Sequence, residues 1–224
     1  MKSIRSIIVT SIAVVIGSFG AGNTCADTII AEWTFETSVP TTAGPHVAEG
    51  GAQAGAAAAT GFHTDAGVAY SNPAGNGSNE SFSSNFWNNV GDYYQFQFSL
   101  IGYQNATFQW DQTRSSTGPA DFALQWSTDG INFTTISNYM VPQINWSSTT
   151  FNPLSRFGPQ ALPINVDNQM NVFIRLRLNT AVASTAGTNR VDNIIVEARL
   201  IPEPTSAGLV ALLMVAGGTI RRRI

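Results

Sequence analysis

Cysteine is all but missing from this 224-residue chain, which has a single copy at Cys25. That residue falls inside an amino-terminal segment with the marks of an export leader. The body beyond it therefore has neither a disulfide framework nor thiolates for a zinc cluster. It must rely on an ordinary hydrophobic core, and it is long enough to bury one. Lysine is equally scarce, with Lys2 alone, and charged residues make up only 11% of the sequence. Between Asp27 and Leu200 six arginines face thirteen acids, a net charge of −7. Binding along a phosphate backbone needs clustered cations, so no nucleic-acid partner is expected.

Other absences narrow the chemistry. The histidines are His46 and His63, both inside the Gly-, Ala- and Thr-rich stretch 43–66. That stretch reads as an irregular excursion, and its histidines as exposed loop residues, because a metal site needs a fixed cage of ligands. No Gly-x-Ser-x-Gly elbow is present for a serine nucleophile. The acids Asp65, Glu80, Asp92, Asp111 and Asp121 are scattered, and nothing sets two of them at the separation that glycoside hydrolysis requires. Most flank strand-like segments, where acids commonly sit in turns. The expectation is a protein that is not an enzyme, with a secreted hydrolase as the weakest reading.

The two ends are what the sequence specifies most sharply. Residues 1–26 have Lys2 and Arg5, then the apolar run Ile7 to Phe19, then small residues. This is the pattern of a signal-peptide helix, with cleavage expected between Ala26 and Asp27. The other end, 201–224, runs Ile201-Pro202-Glu203-Pro204-Thr205, then the apolar stretch Ala207 to Ile220, then Arg221, Arg222 and Arg223. The apolar stretch is shorter than the ~20 residues of a comfortable span. It would form a hydrophobic, transiently membrane-inserted helix with the arginines as a cytoplasmic basic anchor. The prolines hold the segment before it extended and open to a processing enzyme.

This tripartite tail closely resembles the PEP-CTERM sorting signal, on Pro202, Glu203, Pro204, the apolar run and the arginine cluster. The resemblance implies recognition of Pro202, Glu203 and Pro204 by an exosortase, an integral-membrane processing enzyme. It also implies a precursor held transiently in the inner membrane, and a mature protein at the cell surface, outer envelope or outside the cell. A link to exopolysaccharide and biofilm belongs to the same resemblance.

The body, 27–200, alternates with a period of two. Tyr94, Phe96, Phe98 and Leu100 form one apolar series, and Ala106, Phe108 and Trp110 another. Phe122, Leu124 and Trp126 follow the same rule, as do Val172, Ile174, Leu176 and Leu178. These are half-buried strands. Further strands are expected at 28–35, 68–71, 132–136, 140–144 and 191–199, with Asp129-Gly130 as a hairpin turn. The stretch 72–84 reads as a loop. No interior segment has a helical stripe and no repeat is evident. The fold class is all-β, a sandwich. The segments Trp126 to Phe133 and Arg190 to Val196 resemble parts of galactose-binding-like jelly rolls, in which the terminal strands often pair.

That resemblance also implies a structural calcium ion near the paired terminal strands, for which Glu32, Asp192 and Asn193 supply hard oxygen donors. Calcium needs six or more oxygens, so the competing reading is that Asp192 and Asn193 satisfy a turn. Among the aromatics that could stack on sugar rings, Trp110 and Trp126 fall in phase with core positions. Trp87 and Trp146, set in Asn/Ser-rich sequence, are the expected exposed platforms; Tyr93 belongs to the same group of aromatics. The leading expectation is an exported, non-enzymatic surface or matrix protein, and the alternative is a carbohydrate-binding module of the extracellular matrix.

Overall fold

The computed structural model describes residues 26–202. The leader up to Cys25, Glu203, Pro204, and Arg221, Arg222 and Arg223 lie outside the described residues, and both terminal helices with them. Twelve strands follow in order: β1 (Thr28–Trp33), β2 (His46–Val47), β3 (Ala58–Phe62), β4 (Tyr70–Ser71), β5 (Phe82–Ser84) and β6 (Tyr93–Phe98), then β7 (Tyr103–Arg114), β8 (Asp121–Ser127), β9 (Thr134–Met140), β10 (Arg156–Ala161), β11 (Val172–Leu178) and β12 (Asn189–Leu200). Among the described residues the only helical pieces are two 3₁₀ turns, Pro153–Ser155 and Ile164–Val166.

The strands form two antiparallel six-stranded sheets. The first runs β10-β7-β12-β5-β4, with β1 also paired to β12; the second runs β2-β3-β6-β11-β8-β9. The pairing follows from the alternation. In β11, Val172, Ile174, Leu176 and Leu178 are buried and the residues between them face outward. In β6, Tyr94, Phe96 and Phe98 do the same. The core between the sheets is rich in aromatics. Trp33 meets Phe96 edge-on at 5.3 Å, and Phe108 bridges Phe96 and Trp110. Burying such rings is the main source of stability, with edge-to-face geometry adding to it.

The terminal strands pair, as the jelly-roll resemblance implied: Thr28 lies opposite Ala198 and Trp33 opposite Ile194. Arg199 closes the corner on Asp27 at 2.6 Å.

Several sequence expectations are corrected. The stretch 43–66 is not one loop but contains β2 and β3, and β5 lies inside 72–84. Segment 140–144 is not a strand. Instead β9 ends at Met140, Val141 N donates to Ala120 O, and Pro142 follows with no N–H to extend a ladder. His46 is only 7% exposed, with its ring against Phe82 at 4.9 Å, and the His63 side chain is fully buried.

Candidate functional site

The outer surface of the second sheet has the most distinctive set of outward side chains, of which Ala123 and Ser127 are buried and the rest half-buried or exposed. Register places them in three rows. The middle row crosses five strands as Thr60, Gln95, Arg175, Gln125 and Thr135. Beside it run Phe62, Tyr93, Arg177 and Ala123 on one side, and Ala58, Gln97, Phe173 and Ser127 on the other. None of these positions is an acid.

Arg175 is the hub. Its guanidinium lies 3.9 Å from the Tyr93 ring centre and 3.6 Å from that of Phe133. Its Nε donates to Gln95 Oε1 at 2.8 Å and its Nη2 to the Tyr93 hydroxyl at 3.1 Å. Phe62, 47% exposed, stacks on the other partner of this group, Tyr93, at 5.1 Å. Gln125 donates to Thr135 Oγ1. Burial pulls the Arg175 guanidinium below its ordinary value; the Tyr93 phenol opposes this and the nearby Arg177 charge adds to it. The result is a flat, neutral-to-cationic surface of rings, amides and guanidinium edges. Such groups stack on apolar sugar faces and bond to hydroxyl or carboxylate oxygens.

The platforms expected from sequence are elsewhere. Trp87 is fully buried, donates from Nε1 to Ser84 O at 2.9 Å, and packs on His63, Tyr94 and Phe122. Trp146 is 7% exposed and donates to Ser155 Oγ at 2.7 Å. Neither presents a ring face to solvent, so neither is a stacking platform. The polar neighbours Asn145, Ser147 and Ser148 do face solvent, but the indole between them is folded inward.

Two buried polar clusters contain chemistry-bearing residues. In one, His63 Nε2 lies 3.0 Å from Ser84 Oγ and His63 Nδ1 lies 3.3 Å from Asp92 Oδ2. The residue types match a nucleophilic triad, but the surroundings do not. Ser84 and Asp92 have no exposed surface, Ser84 Oγ is also paired with the Tyr94 hydroxyl at 2.9 Å, and Trp87 and Tyr70 cover the imidazole. A substrate has no route to the serine. Burial lowers the His63 pKa, with the Asp92 charge opposing. The cluster ties β3, β5 and β6 together through the core.

In the other cluster, Asp111 on β7 and Asp192 on β12 are register partners, both fully buried. Asp111 accepts from Arg156 Nε at 2.9 Å and from Asn76 and Asn193 side-chain amides. Asp192 accepts from Asn76 N, Ser78 Oγ and Asn193 N. Burial pushes Asp192 up to about 7 against the pull of these donors. The calcium donors named from sequence do not converge. Asp192 and Asn193 belong to this network, already supplied with donors, whereas Glu32 sits opposite Ile195 with its carboxylate against Gly50. Among the described residues no three His, Cys, Asp or Glu side chains gather around one point.

A polar groove on the first sheet, lined by Ser71, Ser83, Arg114, Ser115, Thr188 and Arg190, is the other surface feature. Its arginines are engaged by backbone carbonyls: Arg114 by Val141 O and Arg190 by Ala74 O.

Sequence comparison finds no matching family model and no matching curated protein. Solved structures do match. The CBM22-1–GH10 modules of endo-1,4-β-D-xylanase 10B from Clostridium thermocellum, solved with xylohexaose, align with a TM-score of 0.51 at 11% identity, covering 80% of this chain and 30% of that one. The CBM22-2 xylan-binding domain of Paenibacillus barcinonensis Xyn10C aligns at 0.48 and 9% identity over 75% of this chain and 98% of that one. The K2 cleaved adhesin domain of Lys-gingipain aligns at 0.45 and 17% over 79% and 99%. This chain spans less than a third of the xylanase chain it matches. What is shared is the architecture: the chain is a two-sheet, jelly-roll β-sandwich.

Proposed function

We propose that the body is a carbohydrate-binding module whose polysaccharide ligand lies across the outer face of the second sheet. One observation carries the reading: Arg175 is fixed between Tyr93 and Phe133, in register with Gln95 and Gln125, and the three rows around it hold no acid. Rings for stacking and fixed donors for oxygens are the two things a sugar site needs. The shared fold supports this, since the xylanase modules that match were solved with a xylo-oligosaccharide. In this reading the module binds without turnover. Residues 1–26 and the Pro202–Pro204 tail deliver it across the inner membrane to an exosortase, leaving it at the cell surface or outside the cell.

Affinity electrophoresis of the full chain in gels containing polysaccharides tests the binding. Tyr93→Ala and Phe133→Ala should each weaken retardation by about tenfold or more, the first by releasing Arg175 and Phe62 from their fixed positions and the second by removing a ring beside Arg175. Retardation on the same glycans unaltered by both substitutions would remove this face from consideration. Mass spectrometry of the protein from its own host tests the delivery. The expected carboxyl terminus lies upstream of Arg221, and intact tails in all molecules would refute processing.

A further inference from the structure

The six arginines of the body divide sharply by partner. Arg156 pairs with Asp111 and Arg199 with Asp27. Arg114 and Arg190 donate to backbone carbonyls. Arg175 and Arg177 remain, two residues apart on β11, hence on one face. The ion pairs among the described residues are His63–Asp92, Arg156–Asp111 and Arg199–Asp27, so neither of the two has a carboxylate partner.

Acids of the adjoining elements are engaged elsewhere. Asp129, beyond the end of β8, accepts from Ile131 N, Asn132 N and Ser127 Oγ in its own turn. Asp121, at the start of β8, accepts from Asn179 and Thr180. Asp92, next to Gly91, is buried beneath the sheet against His63. Two uncompensated cations standing together on a body of net charge −7 are the reverse of what composition alone would scatter there.

The donors are also free in number. Arg175 uses Nε and Nη2, and no bond engages its Nη1. Rings at 3.9 and 3.6 Å occupy its flat faces, so a ligand must meet its edge, the side that forms paired hydrogen bonds to a carboxylate. Arg177 has no hydrogen bond within the described residues and lies beside Gly91, whose missing side chain leaves the guanidinium uncovered. Arg177 lies opposite Tyr93 and Arg175 opposite Gln95, so the two charges border the same ring.

We infer that this face selects acidic polysaccharides, with sugar carboxylates of the uronate class read by Arg175 and Arg177 while Phe62 and Phe133 flank the sugar rings and Tyr93 holds Arg175 in place. The inference rests on the carbohydrate-binding reading of the same face and names its ligand class. Calorimetric titration of the full chain uses three probes: polygalacturonate, its fully methyl-esterified form, and dextran sulfate. Polygalacturonate should bind, and masking its carboxylates as esters should weaken binding at least tenfold. Arg177→Gln and Arg175→Lys should each reduce the acidic-over-ester preference by about tenfold, a single charge-assisted contact. Arg175→Lys retains the charge and loses the fork. Rising salt should weaken wild-type binding more than that of Arg177→Gln.

Equal affinity for the acid and the ester, with Tyr93→Ala abolishing both, would overturn the acidic selectivity and leave the carbohydrate site standing. Equal or tighter binding of dextran sulfate would overturn the carboxylate assignment. Binding of none of the three, or of the neutral glycans, by a protein with an intact thermal transition would overturn the site itself.

Discussion

At the scale of single residues, Asp192 and His63 pull stability in opposite directions with pH. The Asp192 carboxyl is raised from 3.8 to about 7, mainly by burial. The folded state thus favours the protonated form. Its contribution is fully present below the ordinary carboxyl value and is lost as pH rises through about 7. His63 is lowered, so its contribution is present above the ordinary imidazole value and lost as pH falls. The two overlap, so the informative quantity is a difference. Asp192→Asn should gain in melting temperature relative to wild type as pH rises from 4 to about 7; a constant offset between the two proteins would contradict the burial of a titrating carboxyl. Trp87→Ala should cost about 3–5 kcal/mol in denaturant unfolding, the usual loss for a large ring removed from a core, whereas an exposed platform would cost little.

Much of this was not legible in the sequence. Asp192 and Asn193 could be singled out as polar residues in the last strand. Their partners Asp111 and Asn76 could not, because the contacts join segments far apart along the chain. Trp87 was misleading because its half-exposed neighbours Asn88 and Asn89 say nothing of the indole, which turns into the core.

At the scale of elements, strands with strong contrast between faces were the readable ones. β6 and β11 place their apolar series inward as the period of two requires, whereas β12 steps from Val191 to Ile194 across a bulge at Asn193. β3 gave no such signal because Ala58, Ala59 and Gly61 carry little hydrophobic contrast. They are small for a packing reason: Ala59 is fully buried in the core, and a Cβ on Gly61 would come within 2.6 Å of the Tyr70 ring. β10 contains Gly158 and Pro159 and is tolerated only as the edge of its sheet. The binding face was hidden for a related reason. Arg175 on β11 and Tyr93 and Gln95 on β6 are ordinary outward residues, and only the β6–β11 register brings the arginine to the other two.

The loop between β7 and β8 offers a test at this scale. Ser115 N donates to Thr188 O, and a Cβ on Gly118 would collide with that same Thr188 carbonyl. Backbone cannot yield as a side chain can, so Gly118→Ala should destabilise by about 1–3 kcal/mol in chemical denaturation. A neutral result would mean the loop repacks freely against the entry to β12.

At the scale of the whole molecule, both ends of the body meet in the first sheet, while the proposed ligand face is the outer surface of the second. The sandwich class was readable from alternation, and the pairing of the terminal strands was what the jelly-roll resemblance implied. The division of strands between two sheets was not, because it is decided by long-range packing.

The β1–β12 pairing also decides how the molecule answers force. Thr28 and Ala198 form the outermost rung, with the chain leaving in both directions beside it. Tension applied between the two ends therefore peels β1 from β12 one rung at a time, as a zip opens. Tension between a captured polysaccharide and the carboxyl end pulls β12 lengthwise against β7, to which it is paired from Asn189 to Leu200, so that many rungs must fail together. Single-molecule pulling should record a lower rupture force for the first geometry than for the second, and equal forces would refute this account. The same module would then be a weak link when stretched as a spacer and a firm grip when loaded through its ligand.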